Sequence, residues 1–92
     1  MEQLIYNLVN NASSKYSRIK CDNVTQFGNK YYNITITGGL NGHGKSRDYL
    51  SDLLDVVDNL EDHFENVIIS QYNIDVLDDV FVVGIVVDSP IN

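Results

Sequence analysis

Leu4, Ile5, Leu8, Val9 and Ala12 recur at helical spacing with polar residues between them, which predicts an amphipathic helix from residue 2 to about residue 14. Asn10, Asn11, Ser13 and Ser14 weaken its end, because short polar side chains compete for the backbone hydrogen bonds of a helix. Beyond Ile19 the period changes to two. Ile19, Cys21, Val24 and Phe27 lead to Gly28 and Asn29, and then Tyr32, Ile34 and Ile36 alternate with Asn33, Thr35 and Thr37. This reads as a β-hairpin through a two-residue turn with glycine first. The alternation changes phase between Cys21 and Val24, so a bulge near Asp22 and Asn23 is needed to keep the apolar side chains on one face.

Four glycines between positions 38 and 44 predict a loop, since each weakens a regular element. Ser46 then caps a second helix of about five turns ending near Phe64 or Glu65. Residues 67–76 and 80–87 are β-rich runs separated by a turn at Leu77, Asp78 and Asp79, and Ser89 and Pro90 end the second run. That last run is apolar at every position but Gly84, which suits a central strand or one under an oligomer contact. The order α-β-β-α-β-β predicts an α+β fold in one domain spanning residues 1–92, with a four-stranded, mainly antiparallel sheet and both helices on one face. Two short helices cover one sheet face, so the apolar last strand also raises the expectation of a homodimer over the other.

Composition narrows the class. At 92 residues, 43% apolar and 21% charged, the chain is too small for a multi-layer enzyme. Its longest apolar run, residues 80–87 with Gly84 included, is far below the roughly 20 residues of a membrane-spanning helix. The acidic start and the interrupted apolar stretch at residues 4–9 do not resemble a secretory signal. A single cysteine, Cys21, forms no intrachain disulfide and reads as a core residue. These features together predict a cytoplasmic protein.

Charge is the most informative property. All six bases precede position 48, opposed there only by Glu2 and Asp22, so residues 1–47 carry +4. The other eleven acids follow without a single Lys or Arg, and the net charge is −7. Such a chain is repelled by nucleic acid and anionic membranes and attracted to basic partners.

Winding the second helix at 100° per residue places Tyr49, Leu50, Leu53, Leu54, Val56, Val57, Leu60 and Phe64 on one broad arc. Asp48, Asp52, Asp55, Asp58, Asp62 and Glu65 occupy the other, with Glu61 at its margin. Each like-charge pair three or four residues apart costs about 0.2–0.5 kcal/mol in an isolated helix. Two readings follow: bases of the first half neutralise the stripe within the fold, or the stripe faces a basic partner. Carboxylates about 5–6 Å apart approximate the spacing of successive phosphates. The expectation is therefore a non-enzymatic acidic inhibitor, of the anti-defence, nucleic-acid-mimicking kind carried by phages and other mobile elements, acting on a basic, nucleic-acid-binding protein. That assignment is an analogy of class.

Residues 39–46 also fit the phosphate-loop pattern GxxxxGK[ST], with Gly39 and Gly44 shaping the backbone, Lys45 supplying charge and Ser46 a magnesium ligand. A small phosphate- or nucleotide-binding domain is the alternative reading. Length stands against a nucleotide hydrolase, because it needs several parallel strands joined by crossovers. Asp88, after an apolar strand, imitates the aspartate of such sites. His43 and His63 have no His or Cys at metal-ligand spacing, so no metal and no cofactor is expected.

Overall fold

The computed structural model describes residues 1–12, 19–39, 46–75 and 77–91. It contains α1 (Glu2–Ala12), β1 (Lys20–Phe27), β2 (Tyr31–Gly39), α2 (Ser46–Glu61), β3 (Phe64–Asp75) and β4 (Val80–Pro90), the α-β-β-α-β-β order of an α+β fold. The four strands form one sheet in the order β1-β2-β4-β3, with each neighbouring pair antiparallel. Because β4 lies between β2 and β3 and runs opposite to both, β2 and β3 point the same way, and α2 is the crossover between them. A helix of 16 residues covers about 24 Å, close to the length of a strand of seven or eight residues, so α2 can return the chain to the end of the sheet from which β3 starts.

Cross-strand register identifies the buried face. Tyr32 pairs with Val87, Ile34 with Ile85, Ile36 with Val83 and Gly38 with Phe81. Phe81, Val83, Ile85 and Val87 have no solvent exposure. They join Cys21 and Val24 of β1 and the buried residues of both helices, Ile5, Val9, Leu53, Val56 and Leu60, in a single cluster. Two amide side chains brace this arrangement. Cys21 N–H donates to Asn10 Oδ1 at 3.1 Å, tying α1 to β1, and Asn59 Nδ2 donates to the Leu8 carbonyl at 3.1 Å, tying α2 to the last turns of α1.

The bulge expected in β1 is present, with the register shifting between Cys21 and Asn23. A second, unexpected one shifts the register of β3 between Ile69 and Gln71. It sits against Gly84, where an added Cβ would lie 3.1 Å from Ser70 Oγ and 3.3 Å from Gln71 Cβ. Glycine in the central strand thus makes room for the extra residue of its neighbour.

Several boundaries differ from the sequence expectation. The first hairpin turns through three residues, Gly28, Asn29 and Lys30, with Gly28 at φ 65° and the Phe27 and Tyr31 rings stacked at 5.3 Å. Gly38 and Gly39 belong to β2 and not to a loop, for a packing reason: a Cβ on Gly38 would lie 2.6 Å from the Phe81 ring. Helix α2 ends at Glu61, where His63 N–H donates to the Leu60 carbonyl at 3.0 Å and His63 Nδ1–H to the Asn59 carbonyl at 3.1 Å. Phe64 therefore opens β3 opposite Pro90 instead of ending the helix. Proline is tolerated there because the end of a strand makes little demand on its missing N–H.

The outer sheet face carries Thr35, Thr37, Val80, Val82 and Val86, all half-buried, and the more exposed Asn33 and Ile68. The apolar residues expected there form a stripe along β4 flanked by hydroxyls and amides.

Substituting Gly38→Ala tests the close approach of β2 to Phe81. The Cβ can fit only by moving the ring out of a fully buried position, so unfolding stability should fall by about 1–3 kcal/mol. The expected result is a lower urea midpoint with an unchanged m-value.

Candidate functional site

Helix α2 and the turn after it carry the candidate partner-binding carboxylates, and they do not all share one surface. Asp55 and Asp58 are exposed on α2, Glu61 is exposed at its last residue, and Asp62 is exposed in the turn. Asp48 lies on α2, but its side chain is outside the described residues.

Two expectations need correction. Asp52 is 4% exposed and engaged by a partner within the fold, so it does not belong to a surface stripe. Its burial follows from the phase of the helix: Val56 and Leu60 lie on the buried arc with no exposure, and Asp52, one turn before Val56, is on the same line. Glu65 is exposed but belongs to β3, because the helix has ended four residues earlier.

The same phase turns Leu54 outward. It stands about 200° from Val56 around the helix and is 62% exposed, with Asp58 and Glu61 one and two turns further along the same side. Sequence reasoning placed it in the core, since an arc containing Leu50, Leu53, Leu54 and Val57 is too broad to fix the rotation. The resulting surface is an apolar side chain with exposed carboxylates following it along the helix.

The described bases lie elsewhere. Lys20 is on β1 and lines a cavity of about 580 Å³ with Asp22, Asp78, Asp79 and the backbone of Gly39. Lys30 is in the first hairpin turn, its Nζ 5.7 Å from the centre of the Tyr31 ring. Lys15, Arg18 and Lys45 lie outside the described residues, as does the side chain of Arg47.

The phosphate-loop residues are split. Gly39 ends β2 and pairs with Val80, Ser46 is the first residue of α2, and Gly44 and Lys45 lie outside the described residues. The cavity beside Gly39 presents three carboxylates and one ammonium, which repels a phosphate. Asp88 accepts a hydrogen bond from Asn66 Nδ2 at 2.6 Å across the β3–β4 ladder, and every adjacent strand pair is antiparallel. Neither feature reproduces the parallel strands on which phosphate-loop sites are built. Among the described residues, no group of three or more His, Cys, Asp or Glu is placed to hold a metal ion, and no helix is long and apolar enough to cross a membrane.

The turn between β3 and β4 is locally determined. Asp75 Oδ1 accepts from Asp78 N–H at 3.0 Å, an Asx-type turn, and Asp79 adopts φ 59°, a left-handed conformation that aspartate tolerates better than most residues. Cys21, 9% exposed, packs in the core, and burial pushes its thiol up to about 11, with the nearby Asp22 carboxylate adding to the rise.

No protein-family model, curated protein or solved structure matches the chain.

A thiol held near 11 instead of 9.0 has about a hundredth of the thiolate at pH 8. Reaction of Cys21 with an aromatic disulfide reagent at pH 8 should therefore be at least about 100-fold slower in the folded protein than in urea, read from thiolate release.

Proposed function

We propose that this chain is a non-enzymatic, cytoplasmic binding protein that uses the exposed side of α2 to occupy a basic surface on a partner protein. The observation that carries this reading is the set Asp55, Asp58, Glu61 and Asp62, all exposed along α2 and its end on the C-terminal side of the outward-facing Leu54. The repulsive pairs 55/58, 58/61 and 58/62 lie within it, and tolerating them costs stability that a surface of mixed charge does not. A basic partner relieves that repulsion, and a field of one sign speeds encounter with it. Leu54 supplies the apolar contact that carboxylates lack, since an interface core excludes most charge and gains its energy from anchors in pockets. A groove that normally holds the phosphates of a nucleic acid offers this chemistry, and an inhibitor of host defence acting by such mimicry is the form of the function proposed.

Replacing Asp58 by Lys converts three repulsive pairs into attractive ones, so the variant should be more stable by about 1 kcal/mol at low salt, with the gain shrinking at high salt. Loss of stability in chemical denaturation would mean that a base within the fold already neutralises Asp58, and would support the intramolecular reading.

The triple variant Asp55→Lys, Asp58→Lys, Asp62→Lys should remain folded and lose capture of the wild-type partner from lysate, while Lys45→Ala retains it. Capture by the wild-type protein should be abolished by about 0.5 M NaCl and by competing DNA. Retention by the triple variant together with loss in Lys45→Ala would replace this reading with the phosphate-loop one.

A further inference from the structure

The two edges of the sheet are protected very differently. β1 is 8 residues long, carries Lys20 and Asp22, and is broken by a bulge near its start. β3 is 12 residues long, and ten of these are exposed. Between Glu65 and Asp75 it contains no charge and no proline, and the bulge at Ile69 and Gln71 is its one irregularity. Among the described residues, no strand lies along its outer side.

Apolar residues crowd this edge. Val67, Ile69, Tyr72 and Ile74 pair with Val87, Ile85, Val83 and Phe81, so they lie on the core side of the sheet. Their β4 partners have no exposure, whereas Ile69, Tyr72 and Ile74 are 49%, 42% and 39% exposed. The core therefore runs out to the surface along β3. Ile68, on the opposite face, is 61% exposed.

We propose that the outer edge of β3 pairs with the same edge of a second copy of this chain, antiparallel and about a twofold axis. An open edge of backbone donors and acceptors calls for a strand, and natural sheets block such edges with charge, proline, bulges or short length unless pairing is used; of these β3 has only its bulge. Charge selects the occupant. With a net charge of −7, two copies repel wherever their acids face, and the uncharged residues 66–74 form an exposed surface on which they can meet. A basic partner finds no carboxylate in that stretch. A twofold axis matches the edge to itself, joining two sheets into one of eight strands, and brings the exposed Ile69, Tyr72 and Ile74 of both copies alongside one another. This pairing is independent of the reading of α2.

A single-strand contact belongs to the small class of interfaces, below about 1,200 Å² in total, so association should be visible between about 5 and 500 µM. Sedimentation equilibrium over that range should give a mass rising from 10.4 kDa toward twice that value. Amide hydrogen exchange of the wild-type chain at the two extremes should slow at residues 65–75 with concentration and remain constant at residues 20–27. The variant Ile69→Lys, Ile74→Lys, its fold checked by circular dichroism, should stay monomeric throughout, whereas Thr25→Lys on β1 should dimerise like the wild type. A mass near 10.4 kDa at every concentration, protection that appears on β1 or along β4 and not on β3, or open-ended polymers would overturn the proposal. So would a folded double-lysine variant that still dimerises. Should that variant not fold, the exchange pattern of the wild-type chain decides the matter alone.

Discussion

The position of β4 between β2 and β3 governs the rest of the structure. Its alternate residues Phe81, Val83, Ile85 and Val87 are fully buried, and each is paired on both sides. A strand so apolar would be poorly placed at an edge, where one row of its backbone groups and much of its side-chain surface would meet water. Placing it centrally separates β2 from β3 and makes them point the same way. Helix α2 must then cross over the sheet, and its rotation is fixed by the need to bury Leu53, Val56 and Leu60 against the face that β4 has created. The outward direction of Leu54, Asp55, Asp58 and Glu61 is a consequence of that packing.

Much of this was legible in the chain, because the signals were strongly periodic. Alternation in β2, the phase change in β1 and the apolar run of β4 carried over directly into register, bulge and sheet. The failures share a physical origin: each involved a choice that only tertiary packing makes. Gly38 looked like a loop residue because its role, leaving space for the Phe81 ring, depends on a residue far along the chain. The bulge in β3 had the same local signature as that in β1, with Val67 and Ile69 out of phase with Tyr72 and Ile74, and Gly84 marked the opposing position. Phe64 fitted the helical arc as well as it fits the strand, and the helix ends where His63 satisfies a free carbonyl.

The candidate site was legible in its charge and not in its geometry. Composition locates eleven acids in the second half of the chain, but assigning every aspartate of α2 to the solvent side treats polarity as proof of exposure. Asp52 departs from that rule with a partner inside the fold, as a buried carboxylate must have to offset its desolvation. Leu54 departs from it in the opposite direction. An aspartate turned inward and a leucine turned outward within a single turn are together what a helix does when its rotation is set by the best-packed residues, here Val56 and Leu60, and the remaining side chains accept the result.

The acids that follow residue 48 are also unevenly distributed in space. Asp55, Asp58, Glu61 and Asp62 lie along α2 and its end, while Asp75, Asp78 and Asp79 cluster at the β3–β4 turn, and the strand between these groups is neutral over residues 66–74. Two surfaces with different physics therefore coexist on a small chain. Contacts made by the α2 carboxylates are long-ranged and weakened by salt. Pairing along β3 rests on backbone hydrogen bonds and apolar burial, and salt assists it by screening the repulsion between two copies each carrying −7. Rising ionic strength thus acts in opposite directions on the two, releasing a basic partner while favouring the second copy, so the proposed functions of helix and edge can be separated on a single protein without mutation.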